Sequence, residues 1–158
     1  MRITLSVLKA DVGSVGGHTR PSREMLEAVK FVLKEAREKE LIIDSFVSYT
    51  GDDIAMVISH LRGKGNHEIH QMAWRAFLEG TTRAQLHGLY GAGQDLLVDA
   101  PSGNIKGAGP AVAELEFEHS PVKTNKARPA ESFMIFAADK CGPGAYNLPI
   151  YLAFADPM

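Results

Sequence analysis

The chain of 158 residues has the length of one ordinary domain, enough to bury a useful core. Its 17 basic and 19 acidic residues leave a formal charge of -2, without the basic excess of a general nucleic-acid binder. No apolar run approaches the roughly 20 residues that span a bilayer, and Lys9 and Asp11 interrupt the amino terminus before a signal peptide's apolar core could form. The single cysteine, Cys141, excludes an internal disulfide framework and fits a reducing compartment, so the cytoplasm is the expected location.

In chain order, residues 2–9 (RITLSVLK) alternate as a strand does and run into a glycine-rich loop from Asp11 to His18. A helix is predicted from about Ser22, with Met25, Leu26, Val29, Val32, Leu33 and Ala36 on one buried stripe. Residues 41–50 and 54–60 read as strands, joined at Gly51-Asp52-Asp53 in a β-hairpin. Asn66 is placed to cap a second helix, in which Ile69, Ala73, Ala76, Phe77 and Ala84 share a face. A glycine-rich stretch, roughly 88–110, holds Tyr90, Gln94 and Asp95. Beyond it Ala113, Leu115 and Phe117 alternate with Glu114, Glu116 and Glu118, the pattern of a half-buried strand whose glutamates face water. Residues 119–131 read as a loop, and 132–138 as a buried strand ending at Asp139 and Lys140. The order β-α-β-β-α-β-β predicts an α+β fold, a mainly antiparallel sheet with helices on one face. The other face then calls for a partner layer, which self-association would supply.

Carboxylates recur at strand ends: Asp11 after the first, Asp52 and Asp53 in the hairpin, Asp139 after the last. Antiparallel strands can set such ends side by side, where the acids repel one another unless a cation joins them. Hard oxygen ligands suit Mg²⁺ or Mn²⁺, and two adjacent carboxylates could serve two ions in phosphoryl transfer. Turn aspartates also exist simply to bond nearby backbone amides. His18, in its glycine-rich loop, could approach a phosphate or metal, or could be a solvated loop histidine. Lys140 could meet a substrate phosphate or form a surface ion pair. The run Gly103-Asn104-Ile105-Lys106-Gly107 offers backbone amides to an anion but fits no nucleotide-binding fingerprint. His67 and His70, three residues apart on a helix, read as a solvated face, and Cys141 as a passive loop residue.

Taken together, KADVGSVGGH at 9–18, GDD at 51–53, GLYGAGQDLL at 88–97, SGNIKGAGP at 102–110 and ADKCGPGAYNLPIY at 138–151 resemble the bifunctional fructose-1,6-bisphosphate aldolase/phosphatases of archaea and some deep-branching bacteria. The resemblance implies Mg²⁺ ligands at Asp11, His18, Asp52, Asp53, Gln94 and Asp139, with Asp11 also the base that activates water. It implies that His18, Tyr90, Gly103, Asn104 and Lys140 contact fructose 1,6-bisphosphate or dihydroxyacetone phosphate. It further implies an α-β-β-α sandwich assembled as a homo-octamer. Members of that family run more than twice this length, with the Schiff-base lysine, its tyrosine partner and further metal aspartates downstream. The expectation is therefore a single metal- and sugar-phosphate-binding domain over 1–158 that lacks the carboxy-terminal portion: part of the enzyme, or a truncated non-catalytic homologue that binds metal and sugar phosphate or serves as a structural subunit. Phosphate-ester hydrolysis is the expected activity, and aldol condensation only with the missing part.

Overall fold

The computed structural model describes residues 2–16, 19–96 and 109–118, together with Ile135, Ala137 and Asp139. Four strands form one antiparallel sheet in the order β2-β3-β1-β4: β1 (Arg2–Asp11), β2 (Asp44–Thr50), β3 (Asp53–His60) and β4 (Ala111–Glu118). Helices α1 (Arg23–Glu38) and α2 (His67–Leu86) cover one face. The α+β architecture is the expected one. The strand expected over 132–138 and the loop over 119–131 lie outside the described residues, apart from Ile135 and Ala137.

Period-two burial fixes β1. Thr4, Ser6, Leu8 and Ala10 are buried toward the helices, and directly across from them stand His60, Ile58, Met56 and Ile54 of β3. The helices return complementary stripes. Met25, Val29, Val32, Leu33 and Ala36 of α1 and Ile69, Ala73, Ala76, Phe77 and Ala84 of α2 are buried in one core with them, while Leu26 packs partly buried at its edge. Each helix is capped as its sequence indicates: the Ser22 hydroxyl accepts the Met25 N–H and the Asn66 side chain accepts the Ile69 N–H, both at 3.2 Å.

The end of α1 shifts the start of β2. Glu40 takes a left-handed φ of 56°, its N–H donates to the Arg37 carbonyl at 3.0 Å, and the Leu41 N–H donates to the Ala36 carbonyl at 2.9 Å. This pair of bonds closes the helix as a Schellman motif. Leu41 and Ile42 are thereby held in the connection, Ile42 buried in the core, and β2 begins at Asp44 rather than at 41.

Strand β4 lies the other way over from the expectation. Glu114 and Glu116 stand opposite the buried Ser6 and Thr4, on the helix side, whereas Ala113 and Leu115 are exposed on the open face, Leu115 by 52%. The inward Glu114 is held by polar neighbours rather than by water. Its Oε1 accepts the Ser6 hydroxyl at 2.7 Å and lies 3.0 Å from His70 Nε2, and its Oε2 accepts the Gly65 N–H at 2.5 Å. Ser6 in turn lies 2.8 Å from His60 Nε2. Burying a carboxylate is tolerable when its lone pairs are filled in this way. The open face carries Ile3, Leu5, Val7, Phe46, Val57 and Leu115, with Phe46 exposed by 64%.

Candidate metal centre

The β2–β3 connection has two residues, Gly51 and Asp52, with Thr50 paired to Asp53. Gly51, at the first central position, has φ of 59°, a conformation that glycine adopts freely in such hairpins. A Cβ there would also overlap the Asp139 carboxylate, so this glycine lets Asp139 close over the turn. The register then sets Asp53 directly across from Asp11, the last residue of β1. Opposed residues of an antiparallel pair share a face. Asp11 donates its N–H to Asp95 rather than to Asp53, so this pair is of the kind whose side chains approach most closely.

The result is a buried acidic trio. Asp11, Asp52 and Asp53 each offer a carboxylate oxygen, and these oxygens all lie within 4.8 Å of one another. Exposure is 6% at Asp11, none at Asp52 and 5% at Asp53, so water does little to screen their repulsion. Burial, then the Asp52 charge, push the Asp11 carboxyl up to about 6; the Gly13 N–H opposes this at 3.1 Å, and Asp53 and Asp95 add to it. Burial also raises Asp53, opposed by the ion pair it makes with Lys9 and reinforced by Asp139 and Asp95. Asp95 is raised by burial against the pull of the Asp11 N–H and Lys9. Three carboxylate oxygens at this separation could hold a hard cation, whose charge would remove the repulsion. The donor set suits Mg²⁺ or Mn²⁺ and contains no soft ligand.

Of the residues singled out in the sequence, the structure brings together Asp11, Asp52 and Asp53, with Asp139 against the hairpin. Gln94 is half-buried in the turn that runs beside Asp11. Tyr90 is half-exposed, its backbone joined to Ser14 by N–H to carbonyl bonds of 2.8 and 3.2 Å in the two directions. His18, Gly103, Asn104 and Lys140 lie outside the described residues. Two residues at the site, Lys9 and Asp95, were given no role there. Lys9 is two residues before Asp11 on the same strand face, a relation that period-two reading could have found. Asp95 follows Gln94, and nothing in its local sequence marks it.

A family model described as fructose-1,6-bisphosphatase matches residues 2–158. The chain belongs to that family. Over 158 residues it is 58% identical to the fructose-1,6-bisphosphate aldolase/phosphatase of Thermus thermophilus, covering all of this chain and 41% of that protein. The protein of the same name from Cenarchaeum symbiosum is 52% identical, with 39% of its length covered, and that from Pyrobaculum neutrophilum 51%, with 38% covered. The chain thus spans about two fifths of the length of these curated relatives. In this member of the fructose-1,6-bisphosphatase family no described helix is long and apolar enough to cross a membrane.

Proposed function

We propose that this chain is the metal- and phosphate-binding part of a Mg²⁺-dependent fructose-1,6-bisphosphate aldolase/phosphatase, hydrolysing the 1-phosphate of fructose 1,6-bisphosphate in the gluconeogenic direction. The observation that carries the reading is the buried trio Asp11, Asp52 and Asp53, whose mutual repulsion calls for a divalent cation. The family resemblance adds His18, Gln94 and Asp139 as further Mg²⁺ ligands, with Mn²⁺ an alternative ion. Bound there, the ion would supply polarisation of the phosphoryl group and acidification of the attacking water. Asp11 receives the proton that the water gives up. His18, Tyr90, Gly103, Asn104 and Lys140 hold the phosphate of fructose 1,6-bisphosphate or dihydroxyacetone phosphate, Lys140 offsetting its charge.

The aldol step needs a lysine that forms an imine with the ketose phosphate. We assign it to the part of the longer relatives that this chain does not span. The apolar open face of the sheet supports a second layer above it and a homo-oligomeric assembly, and the single cysteine supports a cytoplasmic protein whose residues 1–158 act as one domain.

Phosphate release from fructose 1,6-bisphosphate tests the reading. It is expected to require Mg²⁺, to stop with chelator and to vanish in Asp53→Ala. If Mg²⁺ and fructose 1,6-bisphosphate bind by calorimetry without turnover, the chain is a binding module; if neither binds, the acids are structural.

A further inference from the structure

We infer that Asp95 is the positioning residue of the carboxylate centre: it grips the backbone of Asp11 at both its N–H and its carbonyl and so fixes where the Asp11 carboxylate points. The need for such a grip follows from the sheet. β1 is a central strand, but its pairing with β4 stops at Lys9↔Ala111. Asp11 is therefore buried with a backbone N–H and carbonyl on an edge that β4 does not reach. A buried amide without a partner is costly, so something has to replace the strand. Asp95 does so with two groups. Its Oδ2 accepts the Asp11 N–H at 2.8 Å, and its own N–H donates to the Asp11 carbonyl at 3.0 Å. The neighbouring bonds continue the strap, Gly93 N–H to the Val12 carbonyl at 3.1 Å and the paired Ser14 and Tyr90.

The carboxylate of Asp95 is thus directed at backbone. Among the described residues the group whose oxygens all lie within 4.8 Å is Asp11, Asp52 and Asp53, and Asp95 is not part of it. Its part is to hold a ligand in place, a role whose loss costs roughly 10–100-fold in metal affinity elsewhere. The metal arm of this inference rests on the proposed reading of the trio; the backbone grip does not.

The test uses the whole 158-residue chain, with Mn²⁺ binding followed by calorimetry and hydrogen exchange of the Asp11 amide followed in the metal-free protein. Asp95→Asn keeps an oxygen that accepts the Asp11 N–H, so its Mn²⁺ Kd is expected within about threefold of wild type. Asp95→Ala removes the acceptor, and its Kd is expected to rise roughly 10–100-fold while the Asp11 amide exchanges at least about tenfold faster. Unchanged Kd and unchanged exchange in Asp95→Ala would overturn the inference. So would Asp95→Asn weakening Mn²⁺ by about tenfold or more while the Asp11 amide exchanges at the wild-type rate, since the charge and not the grip would then matter. That second arm decides the question even where the alanine variant does not fold. If the wild-type chain binds no Mn²⁺ at all, the metal reading fails on its own, and Asp11 exchange still decides whether Asp95 holds that backbone.

Discussion

Toward the amino-terminal end of β1, Ser6 sits among His60, His70 and Glu114; at the carboxy-terminal end, Asp11 sits among Asp52, Asp53 and Asp95. Both ends bury ionisable groups, but the first closes on itself. The Arg62 N–H donates to His60 Nδ1 at 3.2 Å, which leaves the proton on Nε2 to donate to Ser6, and Ser6 donates onward to Glu114. A histidine that donates to a serine is not poised to deprotonate it, so this serine, histidine and glutamate form a structural chain and not a nucleophile. Burial pushes Glu114 up, yet the bonds from Gly65, Ser6 and His70 together leave it below its ordinary range. At the Asp11 end the neighbours are like charges and the carboxyl rises instead. A buried polar group satisfied from within maintains a fold; one repelled from within is stabilised by a cation that joins it.

Replacing Asp11 should separate the two ends most sharply. Asp11→Asn is expected to weaken Mg²⁺ binding more than about 100-fold, beyond the loss typical of a supporting residue, and to abolish phosphate release. The same change should stabilise the metal-free protein. Because the folded-state pKa of Asp11 is raised from 3.8 to about 6, the folded chain binds more protons than the unfolded one across that interval. The ionised group therefore destabilises the fold increasingly as pH rises through the interval, fully so above 6, and the effect fades as pH falls toward 4. Urea unfolding in chelator should show Asp11→Asn more stable by about 1–3 kcal/mol at pH 7, with the gap closing on acidification. An equal stability at pH 7 would mean that the trio is not frustrated.

How much of this contrast could be read from the sequence differs between the ends. Asp11, Asp52 and Asp53 converge because the register that sets Leu8 across from Met56 also sets Asp11 across from Asp53 beside a two-residue turn, and the strands and the turn that carry them were legible. The Ser6 end was not. Alternation along β4 defines two faces without saying which one is inward, and Glu114 turns inward because Ser6, His70 and Gly65, distant in sequence, are there to meet it. Asp95 escaped for a similar reason: its part depends on where β4 stops pairing with β1, which no local pattern encodes. The start of β2 was misplaced because apolar Leu41 and Ile42 look like strand, while the left-handed turn at Glu40 assigns them to the helix exit.

A change at the closed end should affect stability alone. Ser6→Ala removes one donor to Glu114 and the acceptor for His60, and is expected to cost about 1–3 kcal/mol in urea unfolding. The Mg²⁺ affinity should stay at the wild-type value. The pH dependence here has the opposite sign to that of Asp11. Glu114 is lowered and His60 is held below its usual value by burial, so the unfolded chain binds more protons as pH drops below 6.5 and then below 4.5, and this end loses stability in acid. A Ser6→Ala variant with altered Mg²⁺ affinity would show that the ends are coupled through β1.

The smallest expected effect tests whether the acidic end is wholly frustrated. Lys9 lies on the open face across from Ala55 and pairs with Asp53, so one member of the trio already has a cation beside it. A fixed ammonium competes for the same oxygen as a divalent ion and raises the local potential that the ion must overcome. Lys9→Gln should therefore tighten Mg²⁺ binding by roughly two- to fivefold at low ionic strength, with the gain shrinking as salt screens the remaining charges. In the metal-free protein Asp53 should rise further, since its Lys9 bond is what opposes its burial. If Mg²⁺ binding weakens instead, Lys9 holds Asp53 in place as Asp95 holds Asp11. The acidic end would then be partly organised from within, and its difference from the Ser6 end would be one of degree.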